Sequence, residues 1–463
     1  MIPVPRRDFV RLAALAVPAA LASGCDRPEQ QQQPTAAGRS ADVLVIGAGI
    51  AGLRAAQVLA GGRRRVIVLE ARDRLGGRIR TDRSWGVPVE LGASWIHGVR
   101  GNPIAALAAA EGITTQAFDY ESVVYGADGR RRAAGTFDRL ESQVAELVEA
   151  GRKDSPDGVE PFRDESLRAA LDRAIAADDL DAAERLDVEW AIAESIEYEY
   201  AADAIELSAN HFDDGGNESG GDVLLPGGYD KVVEAVAEGL DVRLGHVVTS
   251  IDTTGDRAVV TTSHGRFDAD AVIVTVPLGV LKAGSIQFRP PLPEAKATAI
   301  ARLGMGALSK TCLRFESAFW PADTELLDII PTGSRRGQWV ESVNLTGLVD
   351  VPALMMFNAG TFARTVEAMT DADAIAGAQA ALKPVFPKMS TPTGLLRSAW
   401  SVDPFAMGSY SFIAVGSSPA DRDALAVPEK RRVFAGEACS RDHAGTVHGA
   451  YTSGEAAATA LLR

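Results

Sequence analysis

Apolar residues come along the chain in short runs broken by glycine or charge, and two periodicities alternate. Val43-Leu44-Val45-Ile46 is a continuous apolar run, the pattern of a strand covered on both faces. Leu53, Ala56, Leu59 and Ala60 then share one helical face, and a second run, Val66-Ile67-Val68-Leu69, ends at Glu70. Alternation at Val87, Val89 and Leu91, and the runs Val242–Leu244, Val247–Ile251, Ala258–Thr262, Ala271–Thr275 and Leu308–Phe315, predict further strands. Between Ile104 and Ile205 the period turns helical, over Phe137–Ala150, Ser166–Ala177 and Ala182–Ile196. The pattern predicts an α/β fold with a mostly helical insertion. Within that insertion, the acids of Trp190–Tyr200 (WAIAESIEYEY) are expected mostly on the solvated face of an amphipathic helix, with Glu199 as the exception.

The breaks carry the chemistry. Gly47, Gly49 and Gly52 fall in G-x-G-x-x-G spacing between the first strand and its helix, with Ile50 and Ala51 opening the helix. Gly47 suits a tight turn, Gly49 the approach of a pyrophosphate, and Gly52 close helix–strand packing. The helix N-terminus offers free N–H groups to phosphates, and Glu70 stands where it can accept from a ribose. This is the order of a dinucleotide-binding, Rossmann-like unit. A second glycine turn, Leu75-Gly76-Gly77-Arg78, follows Arg72, and Arg78 is placed to reach the same pyrophosphate.

A series of ordered motifs extends this over most of Ala41–Arg463. The first is the glycine turn with its partner, and the second is Glu90-Leu-Gly92-Ala93-Ser94-Trp95-Ile-His97-Gly. Pro226-Gly227-Gly228-Tyr229 and Pro277-Leu278-Gly279-Val280-Leu281 come next, then Gly306 with Lys310 in G-x-x-x-K spacing. Trp400-Ser-Val-Asp-Pro with Gly408-Ser-Tyr410-Ser, and Ala435-Gly436-Glu437 with Thr446-Val447-His448-Gly449, complete the set. Together they resemble the flavin-containing amine oxidase superfamily, nearest to the FAD-dependent polyamine oxidases.

The resemblance implies a discontinuous Rossmann-like FAD-binding domain (41–97, 220–300 and 398–463) and an α+β substrate-binding domain (98–219 and 301–397). FAD would be held without a covalent bond, since no cysteine stands in the context used for attachment. Gly92 to Trp95, Val248, Trp400, Gly436, Glu437, Thr446 and Val447 would join the first motif around it. Lys310 would hold a water against the flavin; a lysine on a strand is otherwise usually exposed. Tyr410 would wall the amine cage with Trp400 near the ring edge, and His97 and Glu199 would lie along the amine's path. His443-Ala444-Gly445 departs from the family's Tyr-Pro-Ala, so His443 is expected to alter the cage. The implied reaction oxidises a C–N bond of a polyamine or related small-molecule amine, with O₂ going to H₂O₂. An L-amino-acid oxidase is the alternative, and would need a carboxylate clamp such as Arg100 or Arg314. No metal is expected.

The charge of −15 argues against nonspecific nucleic-acid binding. At the N-terminus, Arg6-Arg7 before the apolar stretch Leu12–Ala22 matches a twin-arginine export signal over residues 1–24. Leu21-Ala22-Ser23-Gly24-Cys25 resembles a lipoprotein cleavage site, with plain cleavage after Ala22 left open, and residues 25–40 read as a flexible tether. The expectation is a periplasmic or cell-surface enzyme, touching membrane only through a lipid on Cys25.

Overall fold

The computed structural model describes residues 38–463 except 127, 154–163, 217, 323 and 332–335, so the expected export signal, Cys25 and nearly all of the expected tether lie outside the described residues. Val43–Ile46 is the middle strand of a five-stranded sheet that runs Arg432–Phe434, Ala271–Val274, Val43–Ile46, Val66–Leu69, Val242–Arg243. All its pairings are parallel. A strand between two parallel neighbours has both faces covered, which is why this one is apolar throughout and fully buried. The helix Ile50–Gly61 lies against the C-terminal helix Val447–Leu462. They approach so closely that a Cβ on Gly454 would stand 2.1 Å from the Ala51 carbonyl oxygen. The first glycine turn, the second strand and the C-terminal helix are thus locked together.

A second large sheet, of six strands, carries the other wall of the site. Its order is Gly394–Arg397, Leu308–Arg314, Ala353–Ala359, Glu341–Asn344, Leu326–Ile329, Ser122–Tyr125, antiparallel except for the last pair. A four-stranded sheet (Gly265–Ala269, Ala258–Thr262, Val248–Asp252, Gln287–Arg289) flanks the parallel one, and Trp95–Ile96, Asp222–Leu224 and Gln116–Phe118 form a small sheet of their own. The helical insertion folds as Pro103–Ala110, Thr136–Lys153, Leu167–Ala177 and Ala182–Ile192, with the short strands Gln116–Phe118 and Ser122–Tyr125 among them. Among the described residues no helix is long and apolar enough to cross a membrane.

The segment after Ile192 departs from expectation. It does not continue as an amphipathic α-helix but widens into a π-helix, Ala193–Tyr198. The wider turn rotates the acids off the solvent face. Glu194 and Glu197 are buried, at 8% and 7% exposure, and Glu199 alone is exposed. π-turns of this kind commonly mark functional sites.

Candidate active site

One cavity of about 1320 Å³ runs from the first glycine turn to the π-helix. Every residue that the resemblance assigns to the cofactor, the chemistry or the amine lines it except Gly52. Gly52 serves packing instead, since its Cβ would stand 2.0 Å from the Gly47 carbonyl oxygen. Gly47 takes φ +106°, and Gly49 caps the helix with open space where a Cβ would be. No side chain caps that helix N-terminus, which leaves its first amides for a ligand. Glu70 is 5% exposed and accepts the Ala48 amide at 2.7 Å and the Arg72 amide at 2.9 Å. A carboxylate has about four acceptor sites, so room remains for hydroxyls. Val248 closes this end from the four-stranded sheet.

Both arginines of this end are tied to protein acids. Arg72 bonds Asp403 at 2.7 and 2.9 Å, and Arg78 bonds Glu437 at 2.8 Å and the Ser409 carbonyl at 2.9 Å. Glu437 lies beyond its strand, which ends at Phe434, after Gly436 at φ +140°. Its other oxygen takes Ser411 Oγ and the Gly445 amide. These partners, above all Arg78, hold its carboxyl below the ordinary range despite burial. Glu437 therefore braces Arg78 and the loop before the C-terminal helix. Thr446 caps that helix through the Gly449 amide, with Val447 beside it on the cavity wall.

In the middle of the cavity Lys310 is 4% exposed, unlike most strand lysines. Its Nζ sits 2.5 Å from Ser94 Oγ, 2.6 Å from the Gly92 carbonyl and 3.3 Å from the Glu90 carbonyl, so its three protons have acceptors. Burial pulls its pKa down to about 8 and pushes the neighbouring Glu90 up to about 7. The glycine at 92 answers a backbone crossing as well as the cavity: its Cβ would stand 1.9 Å from the Arg78 carbonyl oxygen. Trp400 and Tyr410 are both pinned by their polar ends, Trp400 Nε1 to the Leu91 carbonyl at 2.9 Å and the Tyr410 hydroxyl to the Tyr198 carbonyl at 3.0 Å. Fixed rings of this kind make a rigid slot.

Beyond that slot lies the acidic end. His97 Nδ1 is 2.7 Å from Asp222, which also accepts the Gly98 amide and the Tyr120 hydroxyl. Burial lowers the His97 pKa, but Asp222 outweighs it and the net shift is upward; Asp222 itself falls to about 2. Asp222 escaped sequence reading because only the pairing of Trp95–Ile96 with Asp222–Leu224 brings it to His97. Glu199 lines the cavity with the buried Glu194 and with Glu341, neither of which stands in a recognisable motif. His443 Nδ1 lies 2.9 Å from Glu218, which also meets His448 Nε2 at 3.0 Å, three donors all within 4.8 Å of one another. Arg100 and Arg314 do not line the cavity.

Comparison with known proteins accounts for this combination. The model of the family described as flavin containing amine oxidoreductase matches residues 50–462. Polyamine oxidase 4 of Oryza sativa subsp. japonica is 39% identical over 433 residues, covering 90% of this chain and 87% of that protein. Polyamine oxidase 2 of Arabidopsis thaliana is 36% identical over 433 residues, covering 91% and 88%. Lysine-specific histone demethylase 1 homolog 1 of Arabidopsis thaliana is 35% identical over 440 residues, 91% of this chain but 52% of that protein. A glycine turn with its acid, an enclosed lysine and an acidic chamber therefore stand in a chain that belongs to the flavin-containing amine oxidoreductases, enzymes that oxidise amines with a flavin.

Proposed function

We propose that the chain is an FAD-dependent polyamine oxidase. The observation that carries this is the acidic lining of the chamber beyond Lys310. Glu194, Glu199 and Glu341 line it, and neither arginine foreseen as a carboxylate clamp reaches it. The ammonium groups of a polycationic amine find acceptors in these carboxyls, whereas the carboxylate of an amino acid meets acceptors like itself. The names of the relatives point the same way, so the L-amino-acid oxidase reading is not favoured.

FAD fits the long, glycine-cradled end: open space at Gly49 and Gly436, free helix amides and the acceptor Glu70 suit a dinucleotide. Neither Cys312 nor Cys439 lines the cavity, which supports non-covalent binding. The flavin supplies the two-electron acceptor for the amine and the reductant for O₂. Overall, amine, O₂ and water give an aldehyde, a shortened amine and H₂O₂. The protein contributes placement. Tyr410 and Trp400 hold the amine's carbon side-on, Lys310 moves a proton through Ser94 or a water, and Asp222 fixes the His97 ring so that Nε2 faces the cavity. The division into an FAD-binding and a substrate-binding domain follows the same reading, with the boundaries given above. Export by the twin-arginine route and anchoring at Cys25 are inferred from the N-terminal pattern alone.

The test is peroxide release from purified protein with spermine, spermidine, putrescine, an aryl monoamine and several L-amino acids. Turnover of the long polycations is expected; turnover of amino acids alone would overturn the substrate assignment.

A further inference from the structure

Most of the cavity's charges are balanced, and one group is not. In the six-stranded sheet Lys310 pairs with Phe357, and Asp328 pairs with Glu341. Ser342 pairs with Met356, so continuing that register by one residue sets Glu341 opposite Phe357. Lys310, Phe357, Glu341 and Asp328 thus form one rung across four strands. Residues directly opposite in a ladder point to the same face, so all four side chains stand on one side of the sheet. At about 4.8 Å per strand, the Glu341 backbone lies roughly 10 Å from that of Lys310.

The π-helix meets this rung from the opposite side. Glu194 and Glu341 act on each other electrostatically, and Glu194 Oε2 is buried with no hydrogen-bond partner among the described residues. Behind them Asp328 is fully buried; one oxygen takes Ser122 Oγ, and Oδ1 has none. Glu194 and Glu341 line the cavity, and among the described residues no arginine or lysine bonds to either of them. The adjacent acids Glu189 and Glu197 differ in this: Arg168 and Arg336 hold Glu189, and Arg336 reaches Glu197. Buried acids without a counter-ion are costly, and here the cost is localised to two side chains facing the substrate chamber. Burial and mutual repulsion push the Glu341 carboxyl up to about 8 and Glu194 well above its ordinary value.

We propose that Glu194 and Glu341 form the receptor for the second, non-reacting ammonium of the substrate, which completes the pair when the amine is seated at Lys310. This rests on the amine-oxidase reading above and adds to it the residues that select a polyamine over a monoamine. Glu199, exposed nearer the solvent, is not part of the pair.

The test uses spermidine and two analogues that each lack one terminal amine, N-butyl-1,3-diaminopropane and N-propyl-1,4-diaminobutane, with peroxide release as the readout. In the wild-type enzyme, one of the two deletions should lower kcat/KM at least about tenfold, mostly through KM. Glu341→Gln and Glu194→Gln should bring spermidine down to that analogue's level and shrink the discrimination. Flavin content and the rate with the aryl monoamine report on folding, and should change far less than the spermidine KM. If the wild-type enzyme oxidises all three compounds alike, or if both variants keep full discrimination, the receptor assignment fails while the oxidase reading stands. Absence of peroxide with every amine would overturn both.

Discussion

At the glycine end of the cavity each buried charge that lines the wall has a protein partner. Glu70 accepts two backbone amides, Arg72 meets Asp403, and Arg78 meets Glu437. Beyond Lys310 the arrangement reverses. Among the described residues Glu194, Glu341 and Glu199 make no ion pair, and Asp222 has His97 for its charged partner. The first end is organised before any ligand arrives, so a cofactor enters a finished cradle. The second is left electrostatically incomplete, and a cationic substrate supplies what is missing. One end stores order and the other stores acceptors without a cation, which is what a resident cofactor and a transient polycation respectively require.

The largest expected effect lies at the ordered end. Glu70→Ala strips two buried amides of their acceptor, at about 1–3 kcal/mol each, and removes the ribose acceptor with them. The purified variant should retain less than about a tenth of the wild-type flavin, read from its visible absorbance. A fully yellow protein would show that the cradle does not depend on this carboxylate. Next comes the boundary between the ends. Lys310→Met keeps the apolar stem but removes the group held by Ser94, Gly92 and Glu90. Flavin reduction or reoxidation, followed by stopped flow, should slow by at least about tenfold with flavin content retained. Wild-type rates would remove Lys310 from the proton path.

The charged end should also betray itself through stability. The Glu341 carboxyl is raised to about 8 and Asp328 to about 7, burial being the main cause of each. Below about pH 4 these groups are protonated both folded and unfolded. Between about 4 and 8 the unfolded chain releases their protons while the folded one keeps them, so stability falls as pH rises through that window. In the unliganded protein, Glu341→Gln should flatten the fall in Tm between pH 5.5 and 8, with a gain of about 2 °C or more at pH 8. A slope unchanged by the substitution would mean that the acid pair is not the source of the imbalance.

Legibility in the sequence divides along the same line. The glycine end is written locally: strand, turn, helix, strand and acid all fall within Val43–Arg78, and the structure places them in the same order. Local spacing is enough because parallel strands joined by one helix leave little choice of geometry. The charged end has no such local grammar. Glu341 owes its position to a ladder register, Asp222 to pairing with the strand of Trp95, and Glu194 to a π-turn that helical periodicity cannot register. For the same reason the acids of Trp190–Tyr200 looked solvated, since a 3.6-residue period puts them on the polar face and the wider turn does not. Lys310 looked ordinary until Phe357 and the Glu90–Ser94 segment closed over it.

Glu199 supplies the finest test of the comparison, because it lines the chamber from an exposed position. An exposed carboxylate acts on a passing ammonium through solvent, where such pairs contribute only about 0.2–1 kcal/mol. Glu199→Gln should therefore raise the KM for spermidine about two- to fivefold and leave kcat alone. The increase should shrink at high salt, since exposed charges are screened over a Debye length. Substitution at the half-buried Glu341, inside the chamber, should keep its effect under the same salt. If the two variants respond equally to salt, burial does not distinguish the mouth of the chamber from its interior, and the difference drawn between solvent-facing and enclosed acids disappears.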